Sequence, residues 1–123
     1  MSDLSHAINA AAPVVGQRFD REDLQDFHIG EVEFRQCRFS NCTFDEVRFR
    51  RVKFIGCVFD NCRFKESLFE DCIFCEGETG CEWRYCDLSK AEFLRCNLGL
   101  NKTIGCEAYR LALSNCAAPG IRL

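Results

Sequence analysis

The sequence predicts an all-β solenoid, and three observations carry that prediction. From Gln17 to Glu76 a large apolar residue returns at every fifth position: Phe19, Leu24, Ile29, Phe34, Phe39, Phe44, Phe49, Phe54, Phe59, Phe64, Phe69 and Phe74. Two residues before each lies a second series, uniformly small from Val32 onward, that includes Cys37, Cys42, Val47, Val52, Cys57, Cys62, Ser67 and Cys72. After Glu76 the register slips once, by the four residues Gly77, Glu78, Thr79 and Gly80, and resumes at Cys81/Trp83 to run through Cys116/Ala118 to a fragment at Ile121/Leu123. A period of five fits neither the 3.6-residue helix nor the two-residue strand, so the repeat itself is the structural unit.

Taken in order, residues 1–16 read as a capping segment and residues 17–123 as the solenoid, with a loop at 77–80. Ser2 to Ala12 has the features of a short helix: Ser2 as N-cap, Asp3 in the first turn, Leu4 and Ile8 on one face, and Pro13 as the stop. Its apolar face would close the first coil, whose backbone groups are otherwise unpaired. In the repeats, an inward pair of one small and one large side chain alternates with polar residues such as Arg38, Ser40, Asn41, Asp45 and Glu46. A unit of five residues cannot bury its own core, so the units must stack and hydrogen-bond along an axis.

Ten of the eleven cysteines occupy the small inward position, and Cys75 is the exception. Position explains the ten as small, easily buried hydrophobes, so no disulfide framework, cofactor or metal is expected. The spacing of Cys72, Cys75, Cys81 and Cys86 resembles a four-thiolate zinc pattern, but the repeat points Cys72 inward and Cys75 outward. Buried unpaired thiols fit a reducing, cytoplasmic setting. The net charge of −3 argues against direct nucleic-acid binding, no stretch is long and apolar enough to cross a membrane, and the first fifteen residues lack the form of a secretory signal. His6 and His28 are isolated, and no nucleophile–base pair, phosphate-cradling loop or carboxylate pair is apparent, so the chain reads as a non-enzymatic binding protein.

The units Cys42-Thr43-Phe44-Asp45-Glu46, Cys62-Arg63-Phe64-Lys65-Glu66 and Cys86-Asp87-Leu88-Ser89-Lys90 resemble the pentapeptide-repeat family, whose consensus is a small residue, a polar residue, Leu or Phe, and two variable positions. The resemblance covers nearly the whole chain. It implies a right-handed quadrilateral β-helix with four repeats per coil, hence about five coils, roughly 24 Å long at a coil spacing of roughly 4.8 Å. On those four faces, face two gathers Asp23, Asp26, Asp45, Glu46, Glu66, Asp87 and Glu107 against Arg63, Lys65, Lys90 and Arg110. Face three has a basic cluster at Arg48, Arg50 and Arg51, and face four presents an apolar column of Ile55, Ile73 and Leu100 beside Cys75.

Within the family, Cys72 to Glu76, the insertion ending in Gly80 directly before Cys81, and the run Cys86 to Phe93 resemble the topoisomerase-protecting Qnr and MfpA type. That resemblance implies a rod that imitates duplex DNA and a loop, here Glu76, Gly77, Glu78, Thr79 and Gly80, that contacts DNA gyrase or topoisomerase IV. A structural or adaptor rod, docking a protein partner through the apolar column or a coil end, is the competing reading. A mimic needs a continuous acidic face and an adaptor needs the apolar column. Either form could pair as a homodimer through a coil end or the apolar face.

Overall fold

In the computed structural model, which describes residues 3–118, the chain winds into a four-sided parallel β-helix of about five coils. Face one is a five-stranded sheet of Arg18–Asp20, Arg38–Ser40, Val58–Asp60, Glu82–Arg84 and Lys102–Ile104. Face three is a second, of His28–Gly30, Arg48–Arg50, Leu68–Glu70, Glu92–Leu94 and Ala112–Ser114. Face four begins as the three strands Val14–Val15, Glu33–Arg35 and Lys53–Ile55 and continues as single bridges through Ile73, Asn97 and Ala117. Face two is built of bridges alone, through Asp23, Thr43, Arg63, Asp87 and Glu107. The register shows where the insertion falls: Arg38 pairs with Val58, twenty residues on, whereas Val58 pairs with Glu82, twenty-four residues on.

Inward rings stack directly on their neighbours one coil away. On face one Phe39 lies 5.2 Å from Phe59 and Phe59 lies 4.3 Å from Trp83, all nearly parallel. On face three Phe49, Phe69 and Phe93 repeat at 4.5 and 4.4 Å with their planes within 6°. Between faces the rings meet edge-on, as Phe34 meets Phe39 at 78°. The parallel columns follow from the in-register ladder, and the edge contacts are the arrangement that ring quadrupoles favour. Burial of each such side chain contributes about 1.5–3 kcal/mol. The two buried polar residues among the described residues are satisfied: Asn101 accepts from Trp83 Nε1 at 2.8 Å and donates to the Phe74 and Gly99 carbonyls, and Ser67 donates to the Phe64 carbonyl.

Each corner among the described residues, apart from the one after Phe74 that carries the insertion, is turned by a residue with positive φ two positions after the large inward one. Arg21, Asn41, Glu66, Tyr85 and Leu100 are examples, with φ of 52–58°. This left-handed region disfavours L residues by roughly 1–2 kcal/mol, and β-branched ones most. No Val, Ile or Thr occupies any of these corners among the described residues. The corner amides offset that strain by bonding to carbonyls in the next coil, as Asn41 N does to Asp60 O at 3.0 Å. At the face-two corners a turn closes as well, as from Val47 N to Phe44 O at 3.2 Å.

The N-terminal helix α1 spans Asp3–Asn9 and buries Leu4, 1% exposed, against the first coil. It stops short of Ala12, and Ser2, read as its N-cap, lies outside the described residues, as do Ile121 and Leu123. In the first coil the small inward series is not filled: Gln17 and Phe27 are exposed and Glu22 is half-buried. The last coil is filled with Thr103, Ala108 and Leu113 where the middle coils carry phenylalanine and tryptophan, and Leu113 is 48% exposed.

Candidate functional site

The four-residue slip forms a hairpin. Cys75 and Glu76 pair antiparallel with Thr79 and Gly80, and Gly77, at φ 61°, takes the left-handed first position of the two-residue turn. The hairpin is held flat against face four. Arg35, two coils back, places its guanidinium fork on Glu76, with Nη1 donating to Oε1 at 3.1 Å and Nη2 to Oε2 at 3.0 Å, while its Nε donates to Glu33. The hydrogen bonds and charge of Arg35 hold the Glu76 carboxyl below the usual carboxylate range. Bidentate pairing of this kind fixes direction as well as position.

Backbone packing finishes the placement. A Cβ on Gly80 would sit 2.4 Å from the Leu100 carbonyl oxygen, so only glycine fits at the hairpin's exit. A Cβ on Gly56 would lie 3.2 Å from the Thr79 methyl, which rests over that corner. Between the hairpin and face one runs an open groove lined by Val58, Glu78, Thr79, Glu82, Leu100 and Lys102. Of the loop residues singled out from sequence, Gly77, Glu78 and Thr79 are exposed at the tip, Glu76 is tied to Arg35, and Gly80 is packed.

The apolar column does not exist as an exposed stripe. Ile55, expected to face solvent, is 5% exposed, because Cys75–Glu76 lies alongside Lys53–Ile55. Ile73 is half-buried and Leu100, 39% exposed, stands alone at its corner. Ile55 takes an outward position in its repeat, and the segment that covers it comes twenty residues later.

The acidic residues of face two divide into two groups. Asp23, Asp45 and Asp87 accept backbone amides from Gln25, Lys65 and Ser89 at 3.2, 3.1 and 2.9 Å, and Asp45 also pairs with Arg63 at 2.9 Å. These carboxylates are engaged in turns and in a neighbouring charge, and Glu107 lies one coil beyond Asp87. Asp26, Glu46 and Glu66 instead stack one per coil along a single left-handed corner. A hydrogen bond from Asp26 and the charges of Asp26 and Glu66 push the Glu46 carboxyl up. The next two residues of that corner are Lys90 and Arg110, so the acidic stripe spans three coils and then reverses sign.

All eleven cysteines are free thiols. Cys72 is fully buried and Cys75 half-buried on the outside, and among the described residues no three His, Cys, Asp or Glu side chains converge to hold a metal. Thiols in the interior donate to carbonyls of the preceding coil, as Cys62 does to Phe39 O at 3.2 Å and Cys86 to Phe59 O at 3.3 Å. The Arg35–Glu76 clamp was missed in the sequence. It joins residues 41 positions apart and shows only when the chain is folded in twenties.

A search of curated proteins found no match. Among solved structures, a pentapeptide repeat protein, Rfr23 from the cyanobacterium Cyanothece 51142, is similar with a TM-score of 0.65 and 14% identity, over 87% of this chain and 88% of that one. Full-length QnrB1, a plasmid-mediated fluoroquinolone resistance protein, aligns with a TM-score of 0.45 and 14% identity over 85% of this chain and 69% of its own. HetL from Nostoc sp. strain PCC 7120, a pentapeptide repeat protein involved in heterocyst differentiation regulation, aligns with a TM-score of 0.34 and 7% identity over 95% and 94%. A family model described as pentapeptide repeats (9 copies) matches residues 18–77. Residues 18–77 thus match the pentapeptide-repeat family, and in its five-residue units stacked four to a coil the chain as described is similar to that family.

Proposed function

We propose that the protein is a non-enzymatic binding module that engages a protein partner through the tip of its hairpin, Gly77 to Thr79, together with the acidic corner Asp26, Glu46 and Glu66. The observation that carries this reading is the clamp: Arg35 fixes Glu76 so that the only excursion from the coil among the described residues is held in one conformation. An ordered loop loses less conformational freedom on binding than a mobile one. The sequence resemblance directs the partner to a type II topoisomerase, DNA gyrase or topoisomerase IV. The corner of three stacked carboxylates supplies the phosphate-like charge that a duplex-binding surface would recognise. The adaptor reading loses its main support at Ile55, which the hairpin covers.

The test is a gyrase supercoiling assay with a fluoroquinolone, titrating the intact chain and a variant lacking Gly77 to Gly80. Removing those four residues restores the twenty-residue step between Val58 and its partner, so the variant should keep its coils. Rescue by the intact chain and not by the deletion supports the reading. Equal behaviour of the two proteins removes the hairpin from it, and inactivity of both removes the topoisomerase.

A further inference from the structure

The inward cysteines form three columns, and the longest, with four thiols in successive coils against three in Cys37, Cys57, Cys81 and three in Cys72, Cys96, Cys116, has the geometry of a ligand site. On the inner side of face two, Cys42, Cys62, Cys86 and Cys106 follow one another coil by coil. The ladder bonds fix that order: Arg63 N donates to Cys42 O, Asp87 N to Cys62 O and Glu107 N to Cys86 O, at 2.9, 3.0 and 2.9 Å. The first three thiols are buried and Cys106, in the last coil, is half-buried. Directly before Cys42 in the same column stands Glu22, whose carbonyl accepts from Thr43 N. Its Oε1 is buried and accepts no hydrogen bond.

We infer that this column is a binding site for a soft, two-coordinate monovalent cation, with copper(I) as the type. Neighbouring sulfurs repeat at the coil spacing of roughly 4.8 Å. A straight S–metal–S unit with bonds of about 2.3 Å, the length of a zinc–thiolate bond, spans about 4.6 Å, close to the coil spacing. Thiolate is the donor that selects copper(I). Zinc requires four donors in a tetrahedron, and a single file of sulfurs cannot supply them.

Charge also balances. One thiol of a pair loses its proton to water and forms the S–metal bond, while the other donates a sulfur lone pair and keeps its proton. The metal stays copper(I), no electron is transferred, and the buried unit is neutral, which avoids the cost of burying net charge. A cation at Cys42 would also answer the orphaned Glu22 oxygen, and the half-buried Cys106 end gives an entry path.

The experiment is an anaerobic titration of the reduced chain with copper(I) against a chromophoric chelator. It is run beside the double variant Cys62→Ala, Cys86→Ala, in which no two thiols of the column lie in adjacent coils. Alanine already fills the matching slot on face three at Ala91, so the variant should fold. The intact chain should bind about two more equivalents than the variant, one shared by Cys42 and Cys62 and one by Cys86 and Cys106. X-ray absorption of the intact chain should show two sulfurs per copper, and copper should raise its melting temperature. Equal stoichiometry in the two proteins overturns the inference. So does a three- or four-sulfur shell, or a melting temperature that falls with copper, either of which is read on the intact chain even if the variant fails to fold.

Discussion

The third coil and the last share a backbone and differ in their contents. Val58 N donates to Cys37 O at 3.0 Å, and Lys102 N to Cys81 O at 3.1 Å, so the axial ladder is the same in both. Around the first bond lie Phe54, Phe59, Phe64 and Phe69, each no more than 2% exposed. Around the second lie Thr103, Ala108 and Leu113, none of them buried. The comparison separates two roles. Corner geometry and ladder bonds set the shape of every coil, while aromatic filling sets how much free energy each coil contributes.

The sharpest way to break this comparison is to empty one slot in each region. Phe54→Ala should cost about 3–5 kcal/mol, because it removes a ring stacked on both sides and leaves a cavity. Leu113→Ala should cost less than about 1 kcal/mol, since half of that side chain already meets solvent. Equal losses in urea denaturation would show that filling is not what distinguishes the coils. Next in size is Gly80→Ala, which drives a Cβ into the Leu100 carbonyl and should cost about 1–3 kcal/mol by forcing the hairpin or the last coil to shift. A neutral result would mean that the two regions are not joined there.

Smaller effects sharpen the contrast through charge. The Glu76 carboxyl is depressed by Arg35, so its contribution to stability is present above the ordinary carboxylate value of about 4.3 and is lost as pH falls through the depressed one. Glu76→Gln should therefore lower the melting temperature at neutral pH and match the parent in acid. Glu46 has the opposite sign. Its carboxyl is raised by Asp26 and Glu66, so the ionised form is disfavoured in the folded state and that penalty fades as pH falls through the raised value. Glu46→Gln should give a slight rise in melting temperature at neutral pH that disappears in acid. A fall instead would show that Asp26, Glu46 and Glu66 do not repel one another along their corner.

Most of the fold was legible because its cause is local and repeated. The large residue at every fifth position, the small one two before it and the slip after Glu76 each recur within a few residues, and they determine faces, coils and insertion. The site was less legible because its causes act across coils. Ile55 is outward in its own repeat and is covered by a segment twenty residues later. Asp45 counts as a free charge in the sequence, yet it is spent on Lys65 N and Arg63 in the next coil. One usable cue was overlooked: the absence of β-branched residues at the left-handed corners marks the turn position independently of the interior.

The hairpin leaves and rejoins the coil at one point, since Cys75 and Gly80 are paired with each other. The solenoid beyond it is therefore indifferent to how many residues lie between them. Val58 and Glu82 keep their register across a detour that the rest of the ladder never meets. Such a corner is a natural graft point. Foreign peptides inserted between Gly77 and Glu78 would be displayed on a stiff rod, at a defined distance from each end, without renumbering a single rung.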